Sequence, residues 1–207
     1  GLPKDMWVTR VWASAHDEGT VYAALNGYRW DDFSAYLYVS KDYGTTWQSI
    51  SSNLPTEPIN TVKDDAVNAN MLYVGTDNGL YISLDKGGSF MLMDKDLPAV
   101  AVHDLVVHPT TKDLLVGTHG RSIYRANVGH LQTLTEEVLA KEIYAFEVDK
   151  VIKSSRWGAR RSRWNEKNEP KNQITFYNKS AGLVTINIKN EDGVTLRTMT
   201  HQATKGL

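Results

Sequence analysis

Ser40-Lys41-Asp42-Tyr43-Gly44-Thr45-Thr46-Trp47 and Ser83-Leu84-Asp85-Lys86-Gly87-Gly88-Ser89-Phe90 are two copies of one pattern, Ser-x-Asp-x-Gly-x-Thr/Ser-aromatic. The pattern has a local physical logic. An Asp side chain bonds backbone amides just ahead of it, Gly supplies a positive φ, and the closing aromatic packs over the turn. Each copy follows a strand-like run, Tyr36-Leu37-Tyr38-Val39 in the first and Leu80-Tyr81-Ile82 in the second, and each is followed by Leu-Pro, at Leu54-Pro55 and Leu97-Pro98. Asp42 and Asp85 lie 43 positions apart, as do Pro55 and Pro98. Leu114-Leu115-Val116-Gly117-Thr118-His119-Gly120-Arg121 is a third, degenerate copy of Leu72-Tyr73-Val74-Gly75-Thr76, with Val116 42 positions after Val74.

A fixed period decides architecture before any single residue does. Short runs of Val, Ile, Tyr and Leu separated by Gly, Asn, Asp and Pro predict an all-β chain, with residues 1–130 forming about three four-stranded blades of a β-propeller. In the second copy the strands are expected at 59–62, 71–75, 79–83 and 90–93. Three blades do not close a ring, which takes about four to eight. The remaining blades are therefore expected outside this sequence, and the open edges are expected to meet them or a second copy of the chain. The start at Gly1, without an initiator Met or a signal-like segment, reads in the same way, as a piece of something larger.

Residues 131–172 read as a short helix and a basic linker. Thr133 to Glu136 has capping-box spacing and predicts a helix over 134–140. The stretch 151–172 holds Lys153, Arg156, Arg160, Arg161, Arg163, Lys167 and Lys171 against Glu166 and Glu169, with Trp157 and Trp164 interleaved. Such a run can bind phosphates or glycans, but an extended linker laid over the propeller explains it more cheaply. From 173 to 207 the pattern alternates, with Glu191-Asp192-Gly193 as a tight turn, and predicts the first strands of a truncated immunoglobulin-like β-sandwich.

Composition narrows the function classes. The 207 residues carry 23 Lys+Arg against 24 Asp+Glu, a formal charge of −1, so no global electrostatic footprint points to nucleic acid. No apolar run approaches the roughly 20 residues of a membrane-spanning helix. The absence of cysteine removes disulfides, thiolate metal sites and cysteine nucleophiles. His103 and His108 fall on opposite faces of one strand, so no metal site is expected, and no cofactor motif is present.

The two Ser-x-Asp turns at blade spacing resemble the Asp-box, or BNR, repeat of sialidases, xyloglucan-degrading glycosidases and sortilin (VPS10) propellers. In order, the boxes, Gly117-Thr118-His119-Gly120-Arg121-Ser122, the helix and the last strands are similar to the C-terminal part of large bacterial sortilin-like BNR-repeat proteins that run into a FlgD-like domain. That resemblance implies a bacterial protein that is secreted, periplasmic or at the cell surface. It implies a structural role for Ser40, Asp42, Gly44, Thr46 and Trp47, and for Ser83, Asp85, Gly87 and Phe90. It also implies a ligand on the face away from the boxes.

Strand parity gives the same face for the turns between second and third strands and for the links between blades. It holds residues 26–35, Pro55 to Asn60, Asp77-Asn78, Pro98 to His103 and His119-Gly120-Arg121. The first is the longest, inserting Tyr28-Arg29-Trp30-Asp31-Asp32-Phe33 relative to Asp77-Asn78. Sugar rings stack on such aromatics while carboxylates accept hydroxyls, which makes Tyr28, Arg29, Trp30, Asp77, Asn78, His119 and Arg121 candidate ligand-binding residues. Packing of Trp30 and Phe33 over the blade, turn-capping aspartates, and an inter-blade ion pair of Arg121 with Asp77 or Asp104 are the competing structural roles. Asp31 and Asp32 are candidate catalytic carboxylates, although neighbouring side chains diverge and glycosidases draw acid and base from separate loops. The expected function is a glycan- or polypeptide-binding scaffold. The alternative is part of a glycoside hydrolase, of the xyloglucanase or sialidase kind, whose acid and base lie partly in other blades.

Overall fold

A computed structural model describes residues 1–170 and 172–207; Lys171 of the basic run lies outside the described residues. The chain divides into two compact units, Gly1–Thr135 and Glu136–Leu207.

In the first unit, β1 (Trp7–Ala13), β2 (Val21–Gly27), β3 (Asp32–Ser40) and β4 (Gln48–Ser49) form an antiparallel meander. The repeat follows with β5 (Ile59–Asp64), β6 (Leu72–Thr76), β7 (Leu80–Ser83) and β8 (Met91–Leu92), close to the strands read from the sequence. The degenerate copy makes a three-stranded sheet of β9 (Val102–Val107), β10 (Asp113–Thr118) and β11 (Ile123–Asn127). It has no Ser-x-Asp turn, and among the described residues no fourth strand joins it. After β11 the Asn127 side chain instead donates to Thr111 O at 2.7 Å and accepts from the Gly129 amide at 3.1 Å, turning the chain into α1 (Gly129–Gln132).

The three first strands lie side by side. Thr9 Oγ1 donates to Ile59 O at 2.8 Å, Lys63 Nζ to Leu105 O at 3.2 Å, and Arg10 pairs with Asp104 at 2.9 Å. Sheets that fan out from a column of inner strands are the blades of a partial β-propeller, as the period predicts. Between the first two blades Tyr22, Ala24, Leu37 and Val39 pack on Ile59, Val62, Leu72, Val74 and Phe90. Between the second and third, Met71, Tyr73, Leu80 and Ile82 pack on Val102, Leu105, Leu114, Val116 and Val128. The middle blade is covered on both faces, so its sequence is apolar at both strand parities. Gly75 marks the closest approach, since a Cβ there would sit 2.7 Å from Thr61 Cγ2 and from both Val102 Cγ1 and Val102 O.

Two adjacent acids pin the blades from within. Asp64 accepts from Trp12 Nε1 at 2.7 Å, Ser14 Oγ at 2.6 Å and the Ala15 amide at 2.9 Å, tying the first blade to the second. Asp65, fully buried, accepts from the Val67 and Asn68 amides, Tyr73 Oη and Gln132 Nε2, tying the second blade to α1. Burial and the Asp65 charge push the Tyr73 hydroxyl well above its ordinary pKa.

The second unit departs from expectation. The helix expected over 134–140 is only one turn, α2 (Glu136–Leu139), because Leu134 and Thr135 already close turns onto Leu131 and Thr133. β12 (Ile143–Ala145) pairs with β13 (Phe176–Asn178), and β14 (Gly182–Lys189) with β15 (Thr195–Ala203). The hairpin turn forms where expected, with Gly193 at φ 80°. Within 173–207 strands form at 176–178, 182–189 and 195–203, in two separate two-stranded sheets, the first of them completed by β12 from outside that stretch.

Candidate functional site

The antiparallel meanders put the Ser-x-Asp turns at one end of the first unit and the turns between second and third strands at the other. The Ser-x-Asp turns repeat bond for bond. Asp42 Oδ1 accepts from Ser40 Oγ and the Thr46 amide, both at 2.8 Å, while Oδ2 accepts from Thr46 Oγ1 at 2.6 Å. Asp85 Oδ1 accepts from Ser83 Oγ at 2.7 Å and the Ser89 amide at 2.8 Å, and Oδ2 from Ser89 Oγ at 2.7 Å. Gly44 and Gly87, at φ 88° and 87°, donate their amides back to Ser40 Oγ and Ser83 Oγ, each at 2.8 Å. The Thr46 hydroxyl and amide, with Ser40, hold the Asp42 carboxyl down at about 2. Burial pushes Asp85 up, but its bonds from Ser89 and Ser83 outweigh this and leave it lowered. The closing aromatics differ: Trp47 Nε1 donates to Gly44 O at 3.0 Å, whereas Phe90 enters the core.

A cleft of about 640 Å³ lies at this same end, between the Ser14–Tyr22 region and the Asp85–Gly88 turn. Its polar groups are largely spoken for. Asp17 accepts from Thr20 Oγ1 at 2.6 Å and from the Gly19 amide, which lower its pKa, and His16 Nε2 sits 2.5 Å from Asp65 O. Burial, with Asp64 and Asp17, raises the Tyr22 hydroxyl to about 12.

At the other end the hairpins diverge. β2 and β3 run on until Gly27 pairs with Asp32, so the long loop expected over 26–35 contracts to a 3-10 turn at Tyr28–Trp30 and Asp31. The Asp31 amide donates to Tyr28 O at 3.2 Å with Asp31 in the left-handed region, φ 57°. Asp32 accepts from Tyr36 Oη at 2.6 Å and the Ser34 amide at 3.0 Å, which together lower its pKa. Around this turn the Arg29 guanidinium lies 4.8 Å from the Trp7 ring centre and 5.7 Å from that of Tyr28, with Nε donating to Tyr28 Oη at 3.1 Å. Trp7 (51% exposed), Trp30 (57%), Tyr28 and Phe33 all stand open at this hairpin tip, so the packing role for Trp30 and Phe33 is not what the structure shows.

The other candidates sit at the same end, Asp77 and Asn78 on the second blade and His119 and Arg121 on the third. Asp77 accepts from Asn60 Nδ2 at 2.9 Å, and the Asn78 amide donates to Thr76 Oγ1. The His119 ring lies 5.4 Å from that of His103. Arg121 is exposed and forms no ion pair with Asp77 or Asp104, because Arg10 takes Asp104. The turn brings Tyr28, Arg29, Trp30, Asp31 and Asp32 together. Among the described residues no hydrogen bond, ion pair or ring contact joins them to Asp77, Asn78, His119 or Arg121. Trp7 went unnoticed in the sequence, although register offers a signal: the first residue of β1 lies opposite Asn26, beside the turn.

The family model described as sortilin, neurotensin receptor 3, matches residues 35–203. The chain belongs to the sortilin (Vps10) family. No curated protein sequence matches it. Two solved structures similar to this sortilin-family chain are glycoside hydrolases. A GH74 xyloglucanase from Xanthomonas campestris has 16% identity and a TM-score of 0.47, covering 57% of this chain and 20% of its own. An ancestral GH74 enzyme has 16% identity and a TM-score of 0.37, covering 96% of this chain and 28% of its own. The sortilin-family chain thus spans less than a third of the length of either enzyme. Among its described residues, no helix is long and apolar enough to cross a membrane.

Proposed function

We propose that this chain is a binding scaffold within a secreted or cell-surface bacterial propeller, and that it takes a glycan on the hairpin tip of its first blade. The observation that carries this reading is the Arg29 guanidinium stacked on the rings of Trp7 and Tyr28, with Trp30 and Phe33 exposed on the same hairpin tip. Sugar rings offer flat C–H faces to such rings, while Arg29 and Asp31 supply a donor and an acceptor for hydroxyls. Asp32 is a positioning residue, since both its oxygens hold the hairpin. Asp77, Asn78, His119 and Arg121 extend the same face on the next blades. The Ser-x-Asp turns act as Asp-boxes, a folding device. The β14–β15 hairpin opens a FlgD-like domain, whose further strands cover the face of Val184, Ile186, Ile188 and Met199. Further blades, or a second copy, cover Val11 of β1 and Leu115 of β10, which are exposed here.

A polypeptide ligand is the second reading, favoured by the family match, whose description names a neurotensin receptor. Titration with cellohexaose, xyloglucan oligosaccharides and a peptide library separates the two. Saturable glycan binding that Trp30→Ala weakens by about 3- to 10-fold, the worth of one aromatic contact, is expected. Glycan binding that Trp30→Ala leaves unchanged, or peptide binding alone, would falsify the glycan reading. Release of reducing ends by a longer protein containing this chain, lost in Asp31→Asn or Asp32→Asn, would instead place catalytic carboxylates on this hairpin.

A further inference from the structure

The second unit carries a feature for which the hairpin platform has no use. The Gly158 amide donates to Asn168 O and the Asn168 amide to Ala159 O, both at 2.9 Å, and Asn168 Nδ2 donates to Arg156 O. This pair of bonds clasps the chain and closes residues 160–167 into a loop, rather than the extended linker expected. Gly158, at φ 79°, permits the reversal at its base. A second turn shapes the tip, where the Asn165 amide donates to Ser162 O at 3.2 Å and Ser162 Oγ to Asn165 Oδ1 at 2.6 Å.

The loop and its base present Arg156, Arg160, Arg161, Arg163 and Lys167, all exposed, with Glu166 as the one acid between 156 and 168. Trp164, 90% exposed, stands among them with the Arg163 guanidinium 6.0 Å from its ring centre. Neither feature helps the unit to fold. Like charges held within a Debye length, about 8 Å at physiological salt, repel one another, and an indole left in water contributes no burial. An anionic ligand with a flat face relieves both.

We propose that the clasped loop 156–168 binds an acidic polysaccharide, one bearing carboxylates or sulfates along its chain. Guanidinium groups match such planar or tripodal anions with paired N–H donors, and four of the five cations are arginines. Trp164 supplies the stacking surface for a ring between successive charges. A cluster of only five cations in one loop, on a chain with net charge −1, favours a single-stranded polyanion of low charge density over a nucleic-acid duplex. The proposal stands apart from the neutral-glycan reading of the first blade, from which it differs in residues and in ligand charge.

The test uses the whole chain with four probes: polygalacturonate, dextran sulfate, uncharged dextran and oligothymidylate, each titrated at two salt concentrations. Polygalacturonate or dextran sulfate is expected to bind saturably and more weakly at higher salt, and the stronger of the two identifies the anionic group. Dextran is expected not to bind this loop, whatever the first blade does. Replacing Arg160, Arg161 and Arg163 together by alanine should cost at least about 10-fold and flatten the log–log salt slope by about 2 to 3. R160K/R161K/R163K should keep the slope and lose affinity. Trp164→Ala should weaken binding by about 3- to 10-fold at unchanged slope. Since these side chains are exposed, each variant should unfold at the wild-type temperature, so that lost binding reports lost contacts. Failure of both polyanions to bind, or binding indifferent to the triple alanine variant or to Trp164→Ala, overturns the proposal. Oligothymidylate binding at least as tight as either polysaccharide overturns it in favour of nucleic acid.

Discussion

The two ends of the blades are built on opposite rules. At the Ser-x-Asp end, two turns 43 residues apart reproduce the same carboxylate bonds to within 0.1 Å and the same backbone angles to within a degree. At the opposite end, equivalent positions hold a four-residue aromatic turn, the Asp77-Asn78 turn, and His119-Gly120-Arg121. What repeats is what every blade needs in order to fold. What differs is free to be specific, because the scaffold beneath holds without it.

That division is broken most directly from its structural side. Gly87→Ala should have the largest effect. Besides the positive φ, its Cβ would meet Ile50 Cδ1 at 2.9 Å, so about 2–3 kcal/mol should be lost in urea unfolding. Gly44→Ala has the same φ but meets only Trp47 at 3.7 Å, and should cost about 1 kcal/mol. A Gly44 effect equal to that of Gly87 would show that the second turn is not wedged against the first blade.

Asp85→Ala removes three hydrogen bonds but lets Ser83 rotate, and should cost about 1–2 kcal/mol. Asp42 and Asp85 both have folded pKa values below the ordinary 3.8. Their contribution is therefore fully present above that value and is lost as pH falls from about 4 towards 2. Asp42→Asn should blunt this acid limb of the stability profile and leave neutral pH less affected. An unchanged limb would mean that the turn carboxylates are equally bonded in the unfolded chain. Trp30→Ala should have the smallest effect on stability, within about 0.5 kcal/mol, while weakening glycan binding. A large loss of stability there would turn the platform into a packing element.

Much of this was legible in the sequence because it is periodic. Strand positions in the second blade follow from its short apolar runs and from the Ser-x-Asp turns, whose bonds need only residues within five positions of one another. The fate of the Tyr28–Phe33 insertion was not legible. An insertion can lengthen a loop or two paired strands, and the choice here rests on Asp32 meeting Tyr36 and Gly27 meeting Asp32 across the hairpin. Trp7 was hidden for a related reason, since its neighbours come from β2. Nothing in the sequence marks Asp64 and Asp65, because the donors that surround them lie up to 67 positions away. The clasp at Asn168 was equally invisible, since nothing in a basic run marks the two backbone bonds that close it.

The central claim, that binding belongs to the divergent end and folding to the repeated one, has reporters at both ends. Trp7 and Trp30 flank the platform, while Trp47 closes a Ser-x-Asp turn with its indole N–H on Gly44 O. A two-dimensional proton–nitrogen NMR titration of the indole N–H groups with xyloglucan oligosaccharide reads all of them at once. The expected result is saturable shifts of the Trp7 and Trp30 signals with Trp12 and Trp47 unmoved. Shifts at Trp47 with Trp7 and Trp30 unmoved would put the ligand at the repeated end and contradict the account.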